Sequence, residues 1–200
     1  MRVYGVAVIA GAVVLTGCSG GLGANFGVAH PVAFSTLTAE ATAMGSKTVT
    51  GATAVLPSST TASYDGIVVV ADELGSAGST TAILGDAHLD ATFAATTVDI
   101  SGTGSSFYQT SVDASNNVLT SGTAVTGSLA FSGTALGASF TTLGVTGTVN
   151  LDGNDVTMNA GQNLTGGFLD TGSGSADQIL AIGDDLATSG STVDVFLLVD

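Results

Sequence analysis

The stretch VTGTVNLDGNDVTMNA, Val145–Ala160, decides the fold. Val145, Gly147, Val149 and Leu151 alternate with Thr146, Thr148, Asn150 and Asp152, so one parity is apolar and the other polar. After Gly153 and Asn154 the alternation resumes, with Val156, Met158 and Ala160 set against Thr157 and Asn159. Successive side chains of a strand point to opposite faces, so each run predicts a strand with one buried and one wet face. The Asp-Gly-Asn-Asp interruption between them predicts a hairpin turn.

The same period recurs on either side. Ala87, Leu89, Ala91 and Phe93 alternate with His88, Asp90 and Thr92, and Val125, Gly127, Leu129 and Phe131 alternate with Thr126, Ser128 and Ala130. The segment VDIS from Val98, the run Ile67–Val70 and TVDVFLLV from Thr192 add three more strands, joined by turn clusters such as DELGSAGST and DASNN. About eight antiparallel strands in about 140 residues predict an all-β domain, either a closed barrel or a sandwich. Glycines inside the strands, among them Gly102, Gly127, Gly133, Gly144 and Gly147, suit the tight coiling of a small barrel. The expected fold is therefore a roughly eight-stranded antiparallel β-barrel of lipocalin size. Two segments stand apart: Thr36–Met44 predicts a short helix, and residues 175–187 read either as a strand or as a helical turn, because Ser175–Gln178 fits a capping box ahead of Ile179, Leu180 and Ile182.

Charge narrows the function classes. The chain carries two Lys plus Arg, Arg2 and Lys47, against 16 Asp plus Glu, a formal net charge of −14. A grip on the nucleic-acid backbone needs clustered basic side chains and is excluded. Catalytic chemistry is not expected: the chain has no His-Glu-x-x-His and no phosphate loop. A porin-like transmembrane barrel needs aromatic girdles, which a chain with no Trp and three Tyr does not supply.

At the N-terminus, Arg2 precedes an apolar run from Val3 to Leu15, shorter than the roughly 20 residues that cross a bilayer as a helix. Residues 1–17 are expected to be a signal peptide. Leu15-Thr16-Gly17-Cys18 is similar to the lipobox of bacterial lipoproteins, a branched apolar residue, two small ones and a cysteine. Cys18, the single cysteine, is the expected lipidation site and the first residue of the mature chain. Two or three acyl chains, at about 0.8 kcal/mol per buried methylene, would anchor the protein durably where one chain is marginal. Residues 18–55 follow as a lipidated tether and lead-in, and residues 56–200 as the barrel. Ser19 after the cysteine, by resemblance to sorted lipoproteins, favours the outer membrane, at the cell surface or the periplasmic face.

Three motifs in order, Leu56-Pro57 with Tyr64-x-Gly66, Gly85-x-Ala87-x-Leu89-x-Ala91-x-Phe93 with Ser101-Gly102, and Gly166-Gly167-Phe168, resemble the barrel domain of transferrin-binding protein B-like bacterial surface lipoproteins. The first is similar to that family's opening strand, the second to its central hairpin and the third to a late glycine-phenylalanine turn. The resemblance runs from about Val55 to Asp200. It implies an eight-stranded barrel that captures an iron-carrier protein, haem or a related ligand, often beside an outer-membrane transporter. The chain departs from the family's long members in having one barrel where they have two lobes. The alternative is a structural or adhesive envelope lipoprotein with no specific small ligand.

Individual side chains give weaker signals. His30 and His88 are the two histidines, and Asp86 and Asp90 flank the second as carboxylate helpers a metal or haem would need. Asn150, Asp152, Asn154 and Asp155 offer oxygen ligands of the kind calcium takes, without the bidentate Glu of an EF-hand, and a hairpin turn accounts for them more simply. Tyr64 and Phe93 are expected in the barrel core. No catalytic residue, metal or cofactor is assigned.

Overall fold

The computed structural model describes residues 32–45, 56–72, 74, 80–113, 121–171, 173 and 175–200. A helix, α1 (Phe34–Gly45), precedes the strands β1 (Thr60–Ala71), β2 (Thr80–Phe93), β3 (Thr97–Val112), β4 (Thr123–Ala124), β5 (Gly127–Leu136), β6 (Ser139–Leu151), β7 (Asn154–Met158), β8 (Asn163–Leu169), β9 (Gln178–Ala187) and β10 (Thr192–Val199). Eight of them form an antiparallel up-and-down barrel in the order β1-β2-β3-β5-β6-β8-β9-β10, and β10 returns to pair with β1. Asp65 and Asp200 exchange both backbone hydrogen bonds at that closing seam. The hairpin read from Val145–Ala160 is β6 and β7, with Asp152 and Gly153 at its turn in positive-φ conformations. β7 and β8 lie end to end along β6, Asn154–Met158 against Leu151–Gly147 and then Asn163–Gly167 against Gly144–Ser139. They make one barrel strand interrupted at Asn159–Gln162.

Parity decides what lies inside. Val68, Val70, Ile83, Leu89, Phe131, Leu143, Val145, Leu164, Ile179 and Leu197 point inward and are buried to 3 % exposure or less. At one end of the barrel Phe168 is surrounded by aromatic rings, with centroids 5.4 Å from Phe93, 6.2 Å from Tyr64 and 6.3 Å from Phe140. The Tyr64 hydroxyl donates to the Ala176 carbonyl at 2.9 Å, which satisfies the polar tip of an otherwise apolar plug. Tyr64 and Phe93 thus take the core places the alternation assigned to them. Outside, Asp99, Ser101, Thr103, Ser128, Ser132, Thr134, Thr142 and Thr146 are exposed. An apolar interior with a hydroxyl-rich exterior on these strands inverts the pattern of a porin.

Two bulges reset the parity. Opposite Gly85 the strand β3 inserts an extra residue at Ser106, whose φ is 52°, and the inward series Val98, Ile100, Gly104 continues at Phe107. Tyr108 and Val112 are thereby turned outward. Without the insertion the Phe107 ring would stand in solvent. The second bulge places Asp184 and Asp185 opposite Asp194, with φ 53° at Asp185.

α1 lies on the outer face over β1, β2 and β10. Leu37, Ala41 and Met44, spaced i, i+4 and i+7, are 0–4 % exposed and meet Ile67, Val69, Ala71, Ala82, Leu84 and Leu198. The helix start is fixed by Tyr108, whose hydroxyl donates to the Val32 carbonyl at 2.8 Å and whose ring lies 5.5 Å from that of Phe34. Burying Leu37 and Met44 contributes about 1.5–3 kcal/mol each.

The structure resolves one open reading of the sequence and corrects another. Residues 178–187 are strand β9, not a helical turn, because Ile179 and Ala181 face the core while the flanking Leu180 and Ile182 face outward. Gly166-Gly167-Phe168 is strand interior in β8, not a turn: a side chain at Gly166 would run into the Leu180 carbonyl oxygen of β9, so close strand approach is what requires glycine there. Gly147 is required for two reasons. Its φ is 122° and a Cβ would strike the Ser128 carbonyl oxygen of β5. Gly147→Ala is expected to cost about 2 kcal/mol or more, from backbone strain and the clash together, read as a lowered midpoint of denaturant unfolding.

Candidate functional site

Cys18 and His30 lie outside the described residues. His88 is on the outer face of β2, where cross-strand register sets it opposite Asp65 of β1. Its Nδ1 is 2.6 Å from Asp65 Oδ1 and its Nε2 is 3.5 Å from Asp90 Oδ1, with Ser63 Oγ donating to the same Asp90 oxygen at 2.6 Å. The sequence placed Asp86 and Asp90 beside the histidine, two residues away on the same strand face; Asp65, the nearest carboxylate, comes from 23 residues away and required the strand pairing. The Asp65 hydrogen bond raises the His88 pKa above its ordinary value against an opposing effect of burial. The two ring nitrogens thus face separate carboxylates, Asp65 on one side and Asp90 on the other.

Asn150, Asp152, Asn154 and Asp155 surround the β6–β7 turn, where one carboxylate oxygen of Asp152 and one of Asp155 accept hydrogen bonds. Asn150 Nδ2 donates to Asp155 Oδ1 at 2.9 Å, Asn154 Nδ2 to the Asp152 carbonyl at 3.3 Å, and Gln109 Nε2 to Asp152 Oδ1 at 2.8 Å. Gln109 Oε1 accepts in return from the Asp152 backbone at 3.1 Å. This exchange ties the hairpin tip across the barrel mouth to β3. A polar cleft of about 380 Å³ lies beside it, lined by Asp72, Asp152, Asn154, Asp155, Thr188 and Ser191.

The same end of the barrel holds a carboxylate group that reading by parity missed. Asp184, Asp185 and Asp194 each bring one oxygen within 4.8 Å of the others. Asp194 is 7 % exposed, and both of its oxygens accept from backbone, Oδ2 from Leu74 at 2.8 Å and Oδ1 from Asp185 at 3.0 Å. The carboxylate therefore pins the chain after β1 and the bulge of β9 together. Burial raises its pKa, the two backbone donors oppose that, and Asp184 adds to it. The sequence signal was the doublet Asp184-Asp185, which breaks the alternation of β9, but its partner Asp194 became visible only through the β9–β10 pairing.

An outer groove of about 280 Å³ crosses β8 and β9, floored by Gly166 and Gly167 and walled by Leu169, Leu180 and Ile182. Among the described residues no helix is long and apolar enough to cross a membrane.

Comparison with protein-family models, with curated proteins and with solved structures finds no match to this chain.

Asp194→Ala is expected to destabilise the barrel by about 1–3 kcal/mol, because two backbone donors lose their acceptor. Hydrogen exchange should show the loss of protection concentrated at Leu74 and Asp185, with β5 and β6 unaffected.

Proposed function

We propose that the protein is a lipid-anchored envelope lipoprotein, of the transferrin-binding protein B-like kind, whose barrel engages a protein partner through its exterior. The observation that carries this reading is the filled interior: Phe107, Phe131, Phe168, Leu89, Leu143 and Leu164 are 0–2 % exposed and occupy the space in which a lipocalin holds a small ligand. Binding then falls to the outer strand faces and the loops. The described histidine is on that exterior and engaged by Asp65, so capture of an iron-carrier protein fits these residues better than direct seating of haem. The strongly acidic composition favours a partner with a basic face. Lipid attachment at Cys18 rests on the lipobox, and outer-membrane placement on Ser19 after it.

Mass spectrometry of membrane-extracted protein is expected to find an acylated Cys18 at the N-terminus, and Cys18→Ser to move the protein from the membrane fraction to the soluble one. An unmodified cysteine on the wild-type protein removes the anchor from the reading. Immobilised protein is then exposed to iron-loaded carrier proteins and to free haem. A saturable carrier complex supports capture; saturation by neither supports the structural or adhesive role.

A further inference from the structure

α1 meets the barrel with an electrostatic mismatch set into an apolar contact. Glu40 lies between Leu37 and Met44 on the helix, at the edge of its docking face, and its Oε2 is shut off from solvent without a hydrogen-bond partner. The groups that face it from the barrel are Asp65 on β1 and Asp86 on β2. His88, held between Asp65 and Asp90, is the one group in this cluster among the described residues able to carry a positive charge. From β10 the side chains packed with the helix cluster are Leu198 and Phe196, which are uncharged. An ionised Glu40 thus has two carboxylates opposite and no donor of its own, whereas a protonated one carries no charge into the contact.

We propose that protons gate the seating of α1 on the barrel: the juxtaposition of Glu40 with Asp65 and Asp86 holds the helix down while Glu40 is protonated and loosens it when Glu40 ionises. Burial first, then Asp86 and Asp65, raise the Glu40 pKa; burial and then Asp65 raise that of Asp86, with His88 acting the other way. Because the Glu40 pKa is raised by burial and by the barrel carboxylates it meets when docked, that state binds more protons than the released one. Docking is therefore fullest below the ordinary carboxyl range and weakens as pH rises through the raised value. His88 acts in the same direction. Its raised pKa keeps a positive charge beside Asp65 and Asp86 at and below its ordinary value near 6.5, and losing that charge at higher pH leaves their repulsion of Glu40 uncompensated. Release of the helix would uncover Ile67, Val69, Leu84 and Leu198, an apolar face on an otherwise hydroxyl-rich exterior.

The test is amide hydrogen exchange of the full chain in mild detergent, with each rate normalised to the unfolded rate at the same pH. Protection of residues 34–45 is expected to fall several-fold between pH 4.5 and pH 8, while β5 and β6 hold constant. Glu40→Gln, which keeps the shape and removes the charge, is expected to abolish the fall and keep the helix protected at pH 8. Equal protection of the wild-type helix at both pH values overturns the proposal, as does a Glu40→Gln helix that follows the wild-type fall. Should that variant lose protection in the barrel as well, Asp86→Asn takes its place, and a fall as large as in the wild type then overturns the proposal.

Discussion

The structure depends on strand β1 being buried on both faces. Val68 and Val70 fill the barrel, Ile67, Val69 and Ala71 lie under α1, and on its two edges the strand pairs with β2 and with β10. The strand satisfies a core, an outer layer and the closing seam at once. Its run of Ile, Val, Val and Val is the composition such a position demands, since a polar residue of either parity would be desolvated without a partner. The helix follows from this. An outer face of that kind cannot be left to water, and a short amphipathic segment before the barrel supplies the cover.

The alternating strands could be read from sequence because they obey a local rule. In β2, β5 and β6 one face is wet, so Leu89, Phe131 and Val145 announce their direction through their neighbours. Where the rule was broken the reading faltered. The second half of β3 was not legible because Ser106 shifts the phase, and a bulge of one residue leaves no compositional trace. β9 was ambiguous because its outer residues Leu180 and Ile182 are as apolar as its inner ones, which makes an alternating strand resemble a helical stripe. The extent of β8 was hidden by its glycines, which close strand packing requires and which in isolation signal turns.

The polar clusters were less legible than the fold, and for one reason. Asp65 with His88, Asp194 with Asp185, and Gln109 with Asp152 are joined by pairing or by the barrel's curvature, the partners standing 23, 9 and 43 positions apart in the chain. Sequence offers only the near neighbours, Asp86 and Asp90 for the histidine and Asn154 for the turn. The most informative residue, Glu40, carried no signal at all, since an isolated acid on a short helix is ordinary until the carboxylates beneath it are known.

Closure of the barrel has a consequence for crowding. Each of the eight staves pairs with a neighbour on either side, and the seam at Asp65 and Asp200 is stitched like the rest. A barrel closed in this way leaves short margins, such as the two-residue β4, which give a second copy little to add a strand to. Many such molecules can be packed side by side on one surface, each repelled by the acidity of the next, without templating the cross-chain ribbons that lead to fibres.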